Sequence, residues 1–283
     1  MNRKIKKIVL LIIAILGVNY VNAQTDFSIH LGMLFPQGNF AESRMDKGDV
    51  AWLTKSNRAG VGLGFDAGIK FRFNVPSVKG LGIIAIADFF LNTPNDDVKY
   101  WKEDCIDQIQ IFNRYDVNGM SYIEEIETHN ISLPYYINIP IMVGVNYEYG
   151  IDDNVKIWGE GALGVNIGTL TNYEISTSGT IDYDYVPEGW LLECYFETIE
   201  KYSYKTNVSL AFQLGAGFIF NDKYSLGVFY YGLGSQRIKG VVEKESYRDY
   251  IDYGTNRYSI NESIFKYKSI NPAIFTIRLG YHF

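Results

Sequence analysis

Residues Ala59 to Val75 read AGVGLGFDAGIKFRFNV. Val61, Leu63, Phe65, Ala67, Ile69, Phe71 and Phe73 make one unbroken apolar row, and Gly62, Gly64, Asp66, Gly68, Lys70 and Arg72 make the other. Side chains alternate faces along a strand, so this is a single strand with one apolar side and one side that is small or charged. A soluble sheet buries such an apolar row in its core. A barrel in lipid turns it outward and fills its interior with glycine and paired charge. Slipping the register by one residue would carry Asp66, Lys70 and Arg72 into hydrocarbon, at about 2 to 4 kcal/mol for each basic group near the midplane and less for the carboxylate.

Seven further segments show the same alternation, at about Asp26–Phe35, Gly80–Leu91, Leu133–Tyr147, Val155–Leu170, Thr206–Phe220, Lys223–Gly234 and Pro272–Phe283. The Gly80–Leu91 segment is apolar on both rows, and Leu81, Ile83, Ala85, Ala87, Phe89 and Leu91 face outward provided that Asp88 turns inward. Pro140 has no N–H for a ladder, so it predicts a bulge or an edge in its strand. The links between the eight segments alternate. Pro76 to Lys79, Glu148 to Asn154 and Asn221-Asp222 are short, whereas Pro36 to Ala59, Asn92 to Ser132, Thr171 to Lys205 and Ser235 to Asn271 are long. That rhythm predicts an all-β fold: an eight-stranded antiparallel up-and-down transmembrane β-barrel, with four long extracellular loops at one rim and three short periplasmic turns at the other. Structureless loops of this length count against a compact soluble domain.

An address label precedes the first strand. Arg3, Lys4, Lys6 and Lys7 are followed by the apolar run Ile8 to Val18, and Val21-Asn22-Ala23 offers small or modest residues before Gln24. This is the pattern of a signal peptide over residues 1–23, leaving residues 24–283 as one barrel domain. The apolar run is too short for a spanning helix, which needs about 20 residues. Loss of the leader leaves 22 basic against 32 acidic residues, a formal charge of −10. That balance argues against nucleic acid as a partner, since phosphate binding wants basic patches.

The opening HLGMLFPQGNFAE, the Ile-Pro-Ile step at Ile139 to Ile141, the run GEGALGVNIG near Gly159 and the tail TIRLGYHF ending on Phe283 together resemble the PorT-like outer-membrane β-barrel family of diderm bacteria. The resemblance covers most of the mature chain outside the loops. It implies an eight-stranded barrel in the outer membrane and no particular activity. The tail, with Leu279, Tyr281 and Phe283, also resembles the signal by which the barrel-assembly machinery recognises its clients.

Outside the long loops the mature chain carries only 14 charged residues, and the inward rows take Asp66, Lys70, Arg72, Asp88, Lys156, Glu160 and Arg278. Eight strands enclose a space that side chains just fill, so these charges are expected to pair across the lumen and close it. A narrow conduit and a buried acid–base pair are the functional alternatives. His30 and His282 fall on inward rows of the first and last strands, placed to bond each other or Arg278; His129 lies in a loop. A metal site would need further ligands that the spacing does not name, and neither a metal nor a cofactor is expected. No nucleophile elbow, His-Glu-x-x-His pair, phosphate loop or Cys-x-x-Cys occurs, so the chain reads as a non-enzyme.

Cys105 and Cys194 fall in the second and third long loops, on one side of the barrel, and both a disulfide and two free thiols stay open. Those loops are acidic. Asn92 to Ser132 carries nine acidic and three basic residues, Thr171 to Lys205 seven and two. The stretch Asp182 to Glu188 spaces oxygen ligands without a calcium-loop pattern. The loops are also rich in tyrosine, which suits recognition of a protein or cation partner and equally suits extension of strands above the bilayer. Three roles remain open from the residues alone: a structural or binding barrel, an accessory part of a secretion or assembly complex, and an enzyme working at the outer rim.

Overall fold

A computed structural model describes residues 25–42, 59–107, 110–115, 121–183, 193–250 and 254–283. The leader lies outside these residues, as do most of Asp182 to Glu188 and the side chains of Cys105, His129 and Cys194. Strands β1 (Thr25–Gln37), β2 (Val61–Asn74), β3 (Leu81–Pro94), β4 (Gln110–Tyr115), β5 (Ser121–Ile131), β6 (Tyr136–Gly150), β7 (Val155–Leu170), β8 (Tyr173–Tyr183), β9 (Glu193–Tyr204), β10 (Asn207–Phe220), β11 (Tyr224–Gly232), β12 (Gln236–Tyr250), β13 (Gly254–Ile270) and β14 (Ala273–His282) follow in chain order. Among the described residues one α-helix, α1 (Asp96–Asp107), links β3 to β4, and a short 3-10 turn, Gly38–Phe40, follows β1.

Eight of these strands close on themselves in the ring β1-β2-β3-β6-β7-β10-β11-β14, each pair antiparallel. They are the eight segments marked by alternation, with no end displaced by more than three residues. The rows fall as the pattern demands. Leu31, Leu163, Leu210 and Leu214 stand more than half exposed on the outside, while Asp66, Asp88 and Arg278 are buried within. In β3, Ile83 and Phe89 face out and Ile84, Ile86, Asp88 and Phe90 face in. The short-turn rim wears an aromatic collar: Phe27 stacks near Phe71 and Phe283 with centroids 5.0 and 5.4 Å apart, and Tyr281 meets Phe283 and Tyr224 edge-on. Rings at the boundary between hydrocarbon and water are characteristic of such barrels.

The turns explain themselves locally. Asn221 and Asp222 both adopt left-handed backbone, φ 51° and 57°, the geometry of a two-residue hairpin turn that matches strand twist. Asp152 Oδ1 accepts from the amides of Asn154 and Val155, both at 2.7 Å, and so opens β7.

Pro140 produces neither a bulge nor an edge. Its register with β7 is continuous, Pro140 facing Asn166. Towards β3 the pairing simply skips a step between Ala87–Ile141 and Phe90–Asn138, with the register the same on both sides. The missing N–H falls where the ladder is open.

The larger departure concerns the long connections. Three of the four are not irregular loops but antiparallel strands, which join as a second, six-stranded sheet in the order β13-β12-β9-β8-β5-β4. This sheet continues the barrel wall. Tyr136 faces Leu170 at the barrel's rim, and five residues further out Ile131 faces Ile175 in step. Phe212 faces Gly232, and eight residues out Tyr204 faces Gly240. Asn207 faces Gly168, and five out Tyr202 faces Tyr173. Where the sheet meets the barrel, Ile131, Ile175 and Ile270 are buried with Leu170 and Leu233, and Tyr202 and Tyr204 pack against them. Those two tyrosines therefore anchor the sheet, whereas Tyr195 stands exposed.

Inward glycines make room for bulk. The indole of Trp158 lies over Gly217 and Gly227, and a Cβ on Gly227 would come within 2.5 Å of its Cζ2 and 3.0 Å of Phe229 Cε2. Since neither ring can move aside cheaply, Gly227→Ala is expected to destabilise the barrel by about 1 to 3 kcal/mol, read as a lowered urea midpoint of tryptophan fluorescence in micelles.

Candidate functional site

The densest polar cluster is assembled across glycines. Gly32 of β1 faces Asp66 of β2 on one side and Arg278 of β14 on the other. With no side chain between them, Arg278 Nε donates to Asp66 Oδ2 over the gap. A Cβ on Gly32 would lie 2.9 Å from Arg278 Cγ and 3.0 Å from Asp66 Oδ2. The device recurs one step away. His30 of β1 and Asp88 of β3 both face Gly68 of β2, and His30 Nε2 lies 2.8 Å from Asp88 Oδ1.

Arg278 binds the cluster together. Its Nη2 donates to Asp88 Oδ2 at 3.0 Å, so one guanidinium bridges two carboxylates whose side chains are both fully buried. Aromatic rings lie against it on one side, with Cζ 4.7 Å from the Phe229 centroid and 4.9 Å from that of Tyr231. Thr276 donates to Asp66 Oδ2 at 3.3 Å. The Tyr231 hydroxyl donates to Asp88 Oδ2 at 2.9 Å. A hydrogen bond to a buried charge contributes about 1.5 to 3 kcal/mol, so Tyr231→Phe is expected to lower unfolding stability by about that amount in a denaturant titration.

Two further groups lie along the lumen. Lys70 Nζ donates to Glu160 Oε2 at 3.0 Å and sits 5.0 Å from the Trp158 ring, while Gln213 donates to the other oxygen of Glu160. Nearer the short turns, Arg72 donates to Asn146 Oδ1 (2.8 Å), Asp26 Oδ2 (3.0 Å) and the Gly80 carbonyl (3.0 Å), with Glu148 Oε1 at 3.1 Å. Lys156 is placed differently from the other six charges. It is 38% exposed at the rim and pairs with Asp222 of the β10–β11 turn, on its own wall. His30 bonds neither His282 nor Arg278: Gly280 stands opposite His30, and His282 opposite Ser28. His282 instead lines an open vestibule of about 820 Å³ at the short-turn end, with Arg72, Glu148 and Asp222.

Towards the sheet the polar side chains become carboxamides. Asn166 and Gln236 both donate to Asn138 Oδ1, at 2.9 and 2.8 Å, and Asn92 donates to the Gly62 carbonyl at 3.1 Å. Above them Phe40 and Tyr136 pack edge-on, and the Tyr136 hydroxyl donates to Ala59 O at 2.6 Å. Asn138 and Asn166 lie on inward rows that alternation marks, Asn92 and Gln236 fall in stretches that read as loops, and Tyr231, on the inward row of β11, is not singled out by the pattern. Leu279, Tyr281 and Phe283 all point outward, and the Phe283 amide bonds Phe27 O at 2.9 Å, tying the last residue to the first strand.

No family model matches the chain, and no curated protein matches it either. Among solved structures it is similar to the outer membrane protein OprG from Pseudomonas aeruginosa, at 14% identity over 93% of this chain and 97% of that one, with a TM-score of 0.39. It is similar to Ail, the attachment invasion locus protein of Yersinia pestis, at 13% identity over 92% and 99%, TM-score 0.29. A major outer membrane protein from Thermus thermophilus gives 11% identity over 92% and 100%, TM-score 0.35. Likenesses this slight say nothing of activity.

Proposed function

We propose that this chain is a non-catalytic outer-membrane barrel of a diderm bacterium whose lumen is plugged by its own side chains and whose role, structural or binding, is exerted by the sheet standing outside the cell. The observation that carries this reading is the wall's continuation past the apolar belt at one rim only, with both chain ends and all short turns at the other. Passive diffusion is disfavoured because the lumen's charged groups are engaged with each other and with rings rather than lining a path. Kinship with PorT-like proteins, export by a cleaved leader and insertion by the barrel-assembly machinery through Leu279, Tyr281 and Phe283 belong to the same proposal.

Lysines report the topology. Lys201 and Lys205 are exposed on the sheet side, Lys79 and Lys223 on the short-turn side. A membrane-impermeant amine reagent added to intact cells is expected to label the first pair, and the second only after lysis. Labelling in the reverse order, or recovery of unlabelled protein in the periplasmic fraction without detergent, would sink the reading.

A further inference from the structure

The lumen cluster holds more ligand atoms than its ion pairs use. His30 Nε2 and one oxygen each of Asp66 and Asp88 lie within 4.8 Å of one another, and all three residues are buried. Asp66 Oδ1 has no hydrogen-bond partner among the described residues, although Asp66 is completely buried, and it points towards His30 Nε2 at 4.0 Å. Arg278 grips the Oδ2 atoms of both carboxylates from behind, which leaves the two Oδ1 atoms turned to the imidazole. Gly68 backs the convergence point, where a Cβ would collide with His30 Nε2 and Asp88 Oδ1.

We infer that His30, Asp66 and Asp88 form a binding site for one divalent transition ion of the zinc class. One imidazole and two carboxylates are the donor set such ions accept. A tetrahedral ion with bonds of about 2.1 Å spaces its ligands about 3.4 Å apart, so closing the site needs only side-chain adjustment. A void of about 20 Å³ beside the imidazole, bordered by His30, Ser28, Lys70, Ser225 and Arg278 but by neither aspartate, has room for one water. The ion replaces the proton held between His30 Nε2 and Asp88 Oδ1, which leaves for solvent, because imidazole ligates only when unprotonated. Arg278 is a positioning residue that fixes the carboxylates from outside the coordination sphere.

The test uses the full mature chain, refolded in micelles with chelator, dialysed against zinc and then against metal-free buffer. Atomic emission is expected to find one zinc per folded chain, and cobalt in its place to show the strong visible bands of a low-coordinate ion. His30→Gln and Asp66→Asn should each weaken binding by about tenfold or more, while Glu160→Gln, elsewhere in the lumen, leaves it unchanged. A wild-type barrel that retains no zinc overturns the site, as does equal retention by His30→Gln, which marks adventitious binding to surface carboxylates. If the variants do not fold, the wild-type cobalt spectrum decides alone, weak octahedral bands overturning the assignment.

Discussion

Arg278→Met is expected to cost the barrel about 3 to 5 kcal/mol of unfolding stability, the penalty for leaving buried charge without its counter-ion. The change keeps much of the side chain's bulk beside Phe229 and Tyr231 but withdraws the guanidinium from Asp66 and Asp88, both fully buried. Urea titration in micelles, followed by tryptophan fluorescence or by heat-modifiable migration, measures the loss. Adding Asp66→Asn and Asp88→Asn to the same chain should restore most of it, because removing an entire buried ionic group is far less costly than removing one partner. If Arg278→Met alone unfolds at the wild-type midpoint, the cluster is not a buried ionic unit.

Leu214→Arg separates a lipid-facing wall from a watery one. Leu214 lies midway along β10 and is 59% exposed. Were that exposure to water, the substitution would stay within about 0.5 kcal/mol of neutral. In a bilayer it should cost about 2 to 4 kcal/mol, falling to about 0 to 1 for Val208→Arg nearer the rim. Refolding into phospholipid vesicles measures both variants. Equal, small effects at the two positions would remove the hydrocarbon from the picture.

How much could be read from residues alone follows from what each environment demands of a strand. Hydrocarbon tolerates no polar side chain on its side, so the barrel strands carry unbroken rows such as Leu63 to Phe73, and the rows disclosed all eight. Strands standing in water have no such demand. β8, with the sequence YEISTSGTIDY, has one wholly polar face and breaks its other row, Tyr173, Ile175, Ile181 and Tyr183, with Thr177 and Gly179, so it lacks the unbroken apolar row and reads as a loop. Alternation also reveals which face a residue takes but not its height, since height depends on strand stagger. The inward row told that Asp66 and Arg278 share the lumen, not that Gly32 sets them side by side, nor that His30 meets Asp88 rather than His282. Lys156, the second residue of its strand, belongs to the turn electrostatically although its parity points inward. Inward glycines opposite charged residues on both neighbours were the unused signal.

The counter-ion for Asp66 and Asp88 arrives on β14, the eighth of the barrel strands in chain order. A barrel without β14 keeps both acids but loses the guanidinium that bridges them, leaving Asp88 only its contacts to His30 and Tyr231, and it also lacks the Phe283 amide that fastens onto Phe27. Closure of the ring by β14 is thereby an electrostatic condition for a stable cylinder as well as a geometric one.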